Sequence, residues 1–83
     1  MKLKPLGSNQ TELRLADGTT VLFSYQTPVA CATFQGDNMD FVYYKTDMKW
    51  SRTTSKHINR WLDGVDEVSI KPQEFFNDLV KGV

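Results

Sequence analysis

Through the first half of the chain, apolar and polar positions alternate with a period of two, the pattern of a strand whose successive side chains face opposite ways. Residues 1–7 (MKLKPLG) alternate briefly, and Pro5 restricts them to an edge strand or a lead-in. In TELRLA (11–16), Leu13 and Leu15 point one way and Glu12 and Arg14 the other. Asp17-Gly18 follows, a pair suited to a type I′ turn with positive φ at both central residues, and TTVLFSYQ (19–26) is rich in β-branched and aromatic residues. Residues 10–16 and 19–26 therefore predict a hairpin. Gln26-Thr27-Pro28 interrupts this run as a bend or bulge. VACATF (29–34), a QGDNMD turn (35–40) and FVYYKT (41–46) predict a second hairpin, with one of Tyr43 and Tyr44 buried by alternation.

Beyond residue 52 the period changes. Ile58, Trp61, Leu62 and Val65 form an apolar stripe at spacings of three and four, while Lys56, Asn59, Arg60 and Asp63 face away. Thr53 or Thr54 suits the N-cap and Gly64 the C′ position, which predicts a helix over 54–63. VDEVSIK (65–71) offers a short fifth strand. Pro72 then suits the first helical position of a second helix, 72–81, with Phe75, Phe76, Leu79 and Val80 apolar and Gly82 at its end. Strands first and helices after predict one α+β domain over 1–83: a small antiparallel sheet with two C-terminal helices on one face.

Composition changes this picture little. The chain has 83 residues, 40% hydrophobic and 24% charged, with a formal net charge of zero. A domain this short buries only roughly 60–65% of its unfolded surface. Zero net charge excludes a strongly basic footprint over the whole molecule. The average hides a segregation, however. Residues 45–60 carry Lys45, Lys49, Arg52, Lys56 and Arg60 against Asp47 alone, and residues 61–83 carry an acidic excess. A single cysteine, Cys31, excludes an intrachain disulfide and a cysteine zinc cluster. With no apolar run long enough for a signal peptide or a membrane span, the expectation is a cytoplasmic protein with no membrane partner.

The candidate chemistry is that of binding. The carboxylates Asp17, Asp37 and Asp63 sit beside turn glycines and read as turn and cap residues. No glycine-rich phosphate loop or dinucleotide fingerprint is present, and one histidine with one cysteine makes a poor metal set, so no cofactor, metal or catalytic residue is expected. A Cys31–His57 dyad would need a cysteine from an apolar strand to meet the helix. His57, one turn before Trp61, reads as a boundary histidine or as a titrating contact to an anion. Lys45, Lys49, Trp50, Arg52, Lys56, His57 and Arg60 form the expected partner-binding set, because cations neutralise phosphates and aromatic faces stack bases. Ser51, Thr53, Thr54 and Ser55 crowd the helix start, where free N–H groups favour anions. Trp50, outside the apolar stripe and between cations, is the foremost exposed anchor.

VLFSYQTPVA (21–30), YYKTDMKWS (43–51) and TTSKHINRWL (53–62) resemble a group of small proteins and domains seen largely in bacteriophages. Those read as a strand ending SY-x-TPVA, then Y-x-T-x-x-x-(W/Y)-S-x-TTS-(K/R)-H-I-x-x-W-L. Ser24, Tyr25, Thr27, Pro28, Thr46, Ser51, Thr53, Thr54, Ser55 and His57 carry the match, over half the chain. The resemblance implies a phage or prophage origin and a bacterial cytoplasm, and no activity. A mostly polar motif points to a polar site or to a hydrogen-bonded scaffold in which Thr46, Ser51 and Thr53 are caps and loop ties. The expectation is a non-enzymatic accessory protein that binds nucleic acid or another phosphate-bearing ligand through residues 43–60. The alternative is an inhibitor that docks on a host protein. Self-association through sheet edges near Pro5 and Pro28 is a further expectation.

Overall fold

A computed structural model describes the backbone of residues 2–7, 9–35 and 40–81, and their side chains except those of 2, 35 and 40. The predicted QGDNMD turn around 36–39, with Asp37, and the helix end at Gly82 lie outside the described residues. Six strands and two helices follow in the order β1 (Lys2–Gly7), β2 (Gln10–Arg14), β3 (Thr20–Ser24), β4 (Thr27–Gln35), β5 (Asp40–Thr46), α1 (Arg52–Trp61), β6 (Val68–Lys71) and α2 (Gln73–Leu79). The sheet runs β1-β2-β3-β4-β5-β6, antiparallel throughout except that β6 joins β5 in parallel. The fold is a small α+β domain, and the parallel pair departs from the expected all-antiparallel sheet. A crossover through α1 brings the chain back to the same end of the sheet before β6 begins, and a parallel neighbour requires such a connection.

The predicted first hairpin forms, but its turn is not type I′. Gly18 has φ +92°, whereas Asp17 is not among the residues with positive φ. The Gly18 N–H bonds to the Leu15 carbonyl and the Leu15 N–H to the Thr19 carbonyl, so residues 16–18 make a three-residue loop with glycine in the left-handed position. Asp17 accepts the Thr19 N–H at 2.9 Å, which holds its carboxyl below the usual carboxylate range. Of the expected bend or bulge at 26–28, the bulge is present beside Pro28, while the chain reverses between β3 and β4 in a tight turn of Tyr25 and Gln26, closed by the Ser24–Thr27 pair. All five antiparallel strands thus form one meander. Pro28 lies in the interior strand β4, not near an edge, opposite Phe23 where the register slips. That slip is a bulge, a position that tolerates proline within a sheet.

The helices cover opposite faces, not one. Leu22, Val29 and Ala30 pack with Ile58 and Leu62 of α1, while Leu13, Val21 and Cys31 pack with Phe76 of α2. The reason lies in β3 and β4, whose neighbouring residues are apolar on both faces and so need cover on both. The bulge puts the successive residues Val29 and Ala30 on the α1 side. Tyr43 and Tyr44 are both half-buried, one under each helix.

Candidate functional site

Helix α1 begins two residues earlier than predicted, and its N-cap is Ser51 instead of Thr53 or Thr54. Ser51 Oγ accepts the Thr54 N–H at 3.1 Å. Thr54 is buried and points inward onto β3, which is why it cannot cap. Leu62 ends the helix, and Gly64, with φ +84°, turns the chain one position later than C′.

Beneath the helix start lies a polar chain. Ser51 Oγ donates to Thr54 Oγ1 at 3.2 Å, Thr54 Oγ1 lies 3.0 Å from Ser24 Oγ, and Ser24 Oγ lies 2.8 Å from His57 Nδ1. Ser24, Thr54 and His57 are all buried. Each hydroxyl has one proton to give. Ser51 gives its proton to Thr54; Thr54 then gives to Ser24, and Ser24 to His57. This assignment gives every hydroxyl proton in the chain an acceptor. In the neutral ring it makes Nδ1 an acceptor and puts the imidazole proton on Nε2. Among the described residues Nε2 makes no hydrogen bond, and the ring reaches the surface. There a groove of about 370 Å³ is lined by Thr53, Lys56, His57 and Arg60 from α1, by Asn9 from the β1–β2 turn and by Gln10 at the start of β2. Positions 53, 56, 57 and 60 share one flank of a helix. No carboxylate is among the described residues lining it.

The expected basic surface is therefore divided. Lys45 and Lys49 lie on the opposite flank of α1, beside Ser55, Asn59 and Ile70, around a second groove of about 330 Å³. Arg52 is exposed in the first helical turn, in neither groove. Of the helix-start hydroxyls, Ser51 is the cap, Thr54 belongs to the buried chain, and Thr53 and Ser55 are exposed on opposite flanks. Trp50 is 46% exposed, as expected, and its indole N–H donates to Gln73 Oε1 at 3.1 Å. Trp61 is half-buried against the α1 core, with its N–H 3.4 Å from Glu12 Oε2.

Gln73 was not foreseen, and Tyr25 was singled out only through the resemblance. Gln73 accepts from Thr46 and Trp50 through one side-chain oxygen and donates to the Pro28 carbonyl at 2.7 Å, so it ties α2 to β4, β5 and the 47–51 loop. Nothing local marks a first-turn glutamine for that part. Tyr25 has φ +60° and a backbone N–H held by the Asn9 carbonyl at 2.6 Å. The residue is 51% exposed, and its ring is 6.2 Å from that of His57. The tight turn was legible in the Tyr25-Gln26 step only if Pro28 had been placed inside a strand.

Cys31 and His57 lie on opposite faces of the sheet, so no dyad forms, and burial pushes the Cys31 thiol up to about 11. Among the described residues no group of His, Cys, Asp and Glu is placed to hold a metal ion, and no helix is long and apolar enough to cross a membrane.

Of the ten residues quoted for the resemblance, Ser24, Tyr25, Ser51, Thr54 and His57 lie in or against the polar chain, and the other five do not belong to it. A family of unknown function, DUF8033, matches residues 1–78. The chain belongs to this family. No curated protein and no solved structure matches it. Membership of DUF8033 brings no activity with it, so the function must be argued from the site.

Proposed function

We propose that the protein is a non-enzymatic binding module of phage origin, working in the bacterial cytoplasm, whose ligand carries phosphate groups, with nucleic acid as the favoured class. The supporting observation is the flank of α1 where Lys56, His57 and Arg60 line one groove without a carboxylate among its described lining residues. Cations there would neutralise phosphates and release counterions. His57, oriented from behind by Ser24, would offer Nε2–H as a directed donor, and Thr53 adds a hydroxyl. Lys45 and Lys49 on the other flank would extend the contact along a strand of nucleic acid.

The test is a salt series of binding titrations with DNA and RNA. Binding should weaken as salt rises. Lys56→Ala and Arg60→Ala should each lower the slope of log K against log salt by about one phosphate contact. Absence of binding by micromolar protein at low salt, or an unchanged slope in both variants, would refute the reading.

A further inference from the structure

We infer that the ligand is single-stranded nucleic acid and that the cleft between Tyr25 and Trp50 takes one of its bases. This rests on the phosphate-binding reading above and names the ligand class of the same site.

The cleft, of about 190 Å³, is lined by Ser24, Tyr25, Thr27, Trp50, Ser51 and Thr54. Its two aromatic residues are among the more exposed large side chains of the protein, at 51% and 46%. Rings of this size ordinarily turn their apolar bodies inward. Neither hangs free. The Trp50 indole is bonded to Gln73, and Tyr25 is pinned at its backbone by Asn9 while its ring stands beside His57. An aromatic surface held in place before binding loses little conformational freedom on contact.

The backbone of Tyr25 adds a separate argument. Its φ of +60° belongs to the left-handed region, where tyrosine is disfavoured and glycine or asparagine is at ease. The turn itself has no use for the ring, so the ring is what this position gains over the residues that suit its backbone. Strain of this kind gathers where a side chain is needed by a ligand. The cleft's exposed lining is mainly apolar, which suits the face of a base, while the Ser24 and Thr54 hydroxyls beneath it are buried and bonded to each other.

Position and charge select the strand form. The Tyr25 ring is 6.2 Å from His57, so a base on the tyrosine and its phosphate beside Lys56 and Arg60 are neighbours. A chain of zero net charge gains little from phosphates alone, and stacking must supply the difference. Bases paired within a duplex cannot enter a cleft, whereas those of a single strand can be splayed onto aromatic rings.

The experiment follows tryptophan fluorescence during titration of the whole protein with a short single strand, the matching duplex, and an abasic strand of equal length. Tyr25→Asn removes the ring but keeps a residue that accepts the left-handed backbone, and thermal melting checks that it stays folded. The base-bearing strand should bind on the order of tenfold more tightly than the duplex or the abasic strand. Tyr25→Asn should remove that advantage and leave abasic binding unchanged. Trp50→Phe should abolish the quenching while retaining most of the affinity. If the abasic strand or the duplex binds as well as the base-bearing strand, or if Tyr25→Asn binds it unchanged, the base site is wrong while the phosphate reading stands. If no strand binds at all, both fall.

Discussion

Ser24 occupies the middle of a buried row of polar atoms, and its hydroxyl bonds to both Thr54 Oγ1 and His57 Nδ1. Removing it would strand two partners in surroundings closed to water. A buried polar group left without a partner costs about 1–3 kcal/mol. Ser24→Ala should therefore lower the melting temperature by roughly 4 °C or more, the shift expected per kcal/mol for a domain of this size. An unchanged melting temperature would show that the row adds nothing to stability. The same row orients the imidazole, since Ser24 holds Nδ1 of a residue that lines the groove. His57 looked in the sequence like a boundary residue of the helix. Its burial depends on β3 lying beneath α1, and Ser24 is 33 residues away in the chain.

The helices are anchored differently. Helix α1 presents a stripe of Ile58, Trp61 and Leu62 to the sheet and has a side-chain cap at Ser51. Helix α2 is only seven residues long, and its N-cap, Pro72, makes no side-chain bond. A helix this short has no stability of its own. Phe76, fully buried, and Phe75, 5.4 Å from the Tyr44 ring, hold it to the sheet, and Gln73 ties its first turn to three other segments. Gln73→Ala should cost about 1–3 kcal/mol through the unpaired groups it leaves. The loss should be local. Amide exchange should quicken in α2 and in residues 47–51 while α1 keeps its protection. Equal loosening of both helices would contradict this division.

At the scale of the whole molecule, the sheet separates two small cores. Cys31 lies in the core under α2, 1% exposed, with its thiol pushed up to about 11 by burial. Reaction with a thiol reagent at neutral pH therefore reports the opening of that layer. Stability is expected at roughly 4–12 kcal/mol for a chain of this length, and Phe76→Ala should remove about 3–5 kcal/mol of it. Labelling of Cys31 should accordingly be slow in the parent protein and faster by at least two orders of magnitude in Phe76→Ala. Equal rates in the two proteins would mean that α2 does not guard this core.

What the sequence determined by itself were the features carried by local periodicity and turn chemistry. The alternation at 11–16 and 41–46, the stripe at 58, 61 and 62, and the turn at Gly18 each report on neighbours within a few residues. The α+β class followed from their order. Tertiary structure decided which face each helix covers, that β6 lies parallel to β5, and that Ser51, not a threonine, caps α1. It also divided a run of cations, contiguous in sequence, between two flanks of one helix and carried Tyr25 to the side of His57. These outcomes depend on strand order and on contacts between residues some thirty positions apart, and no local period encodes them.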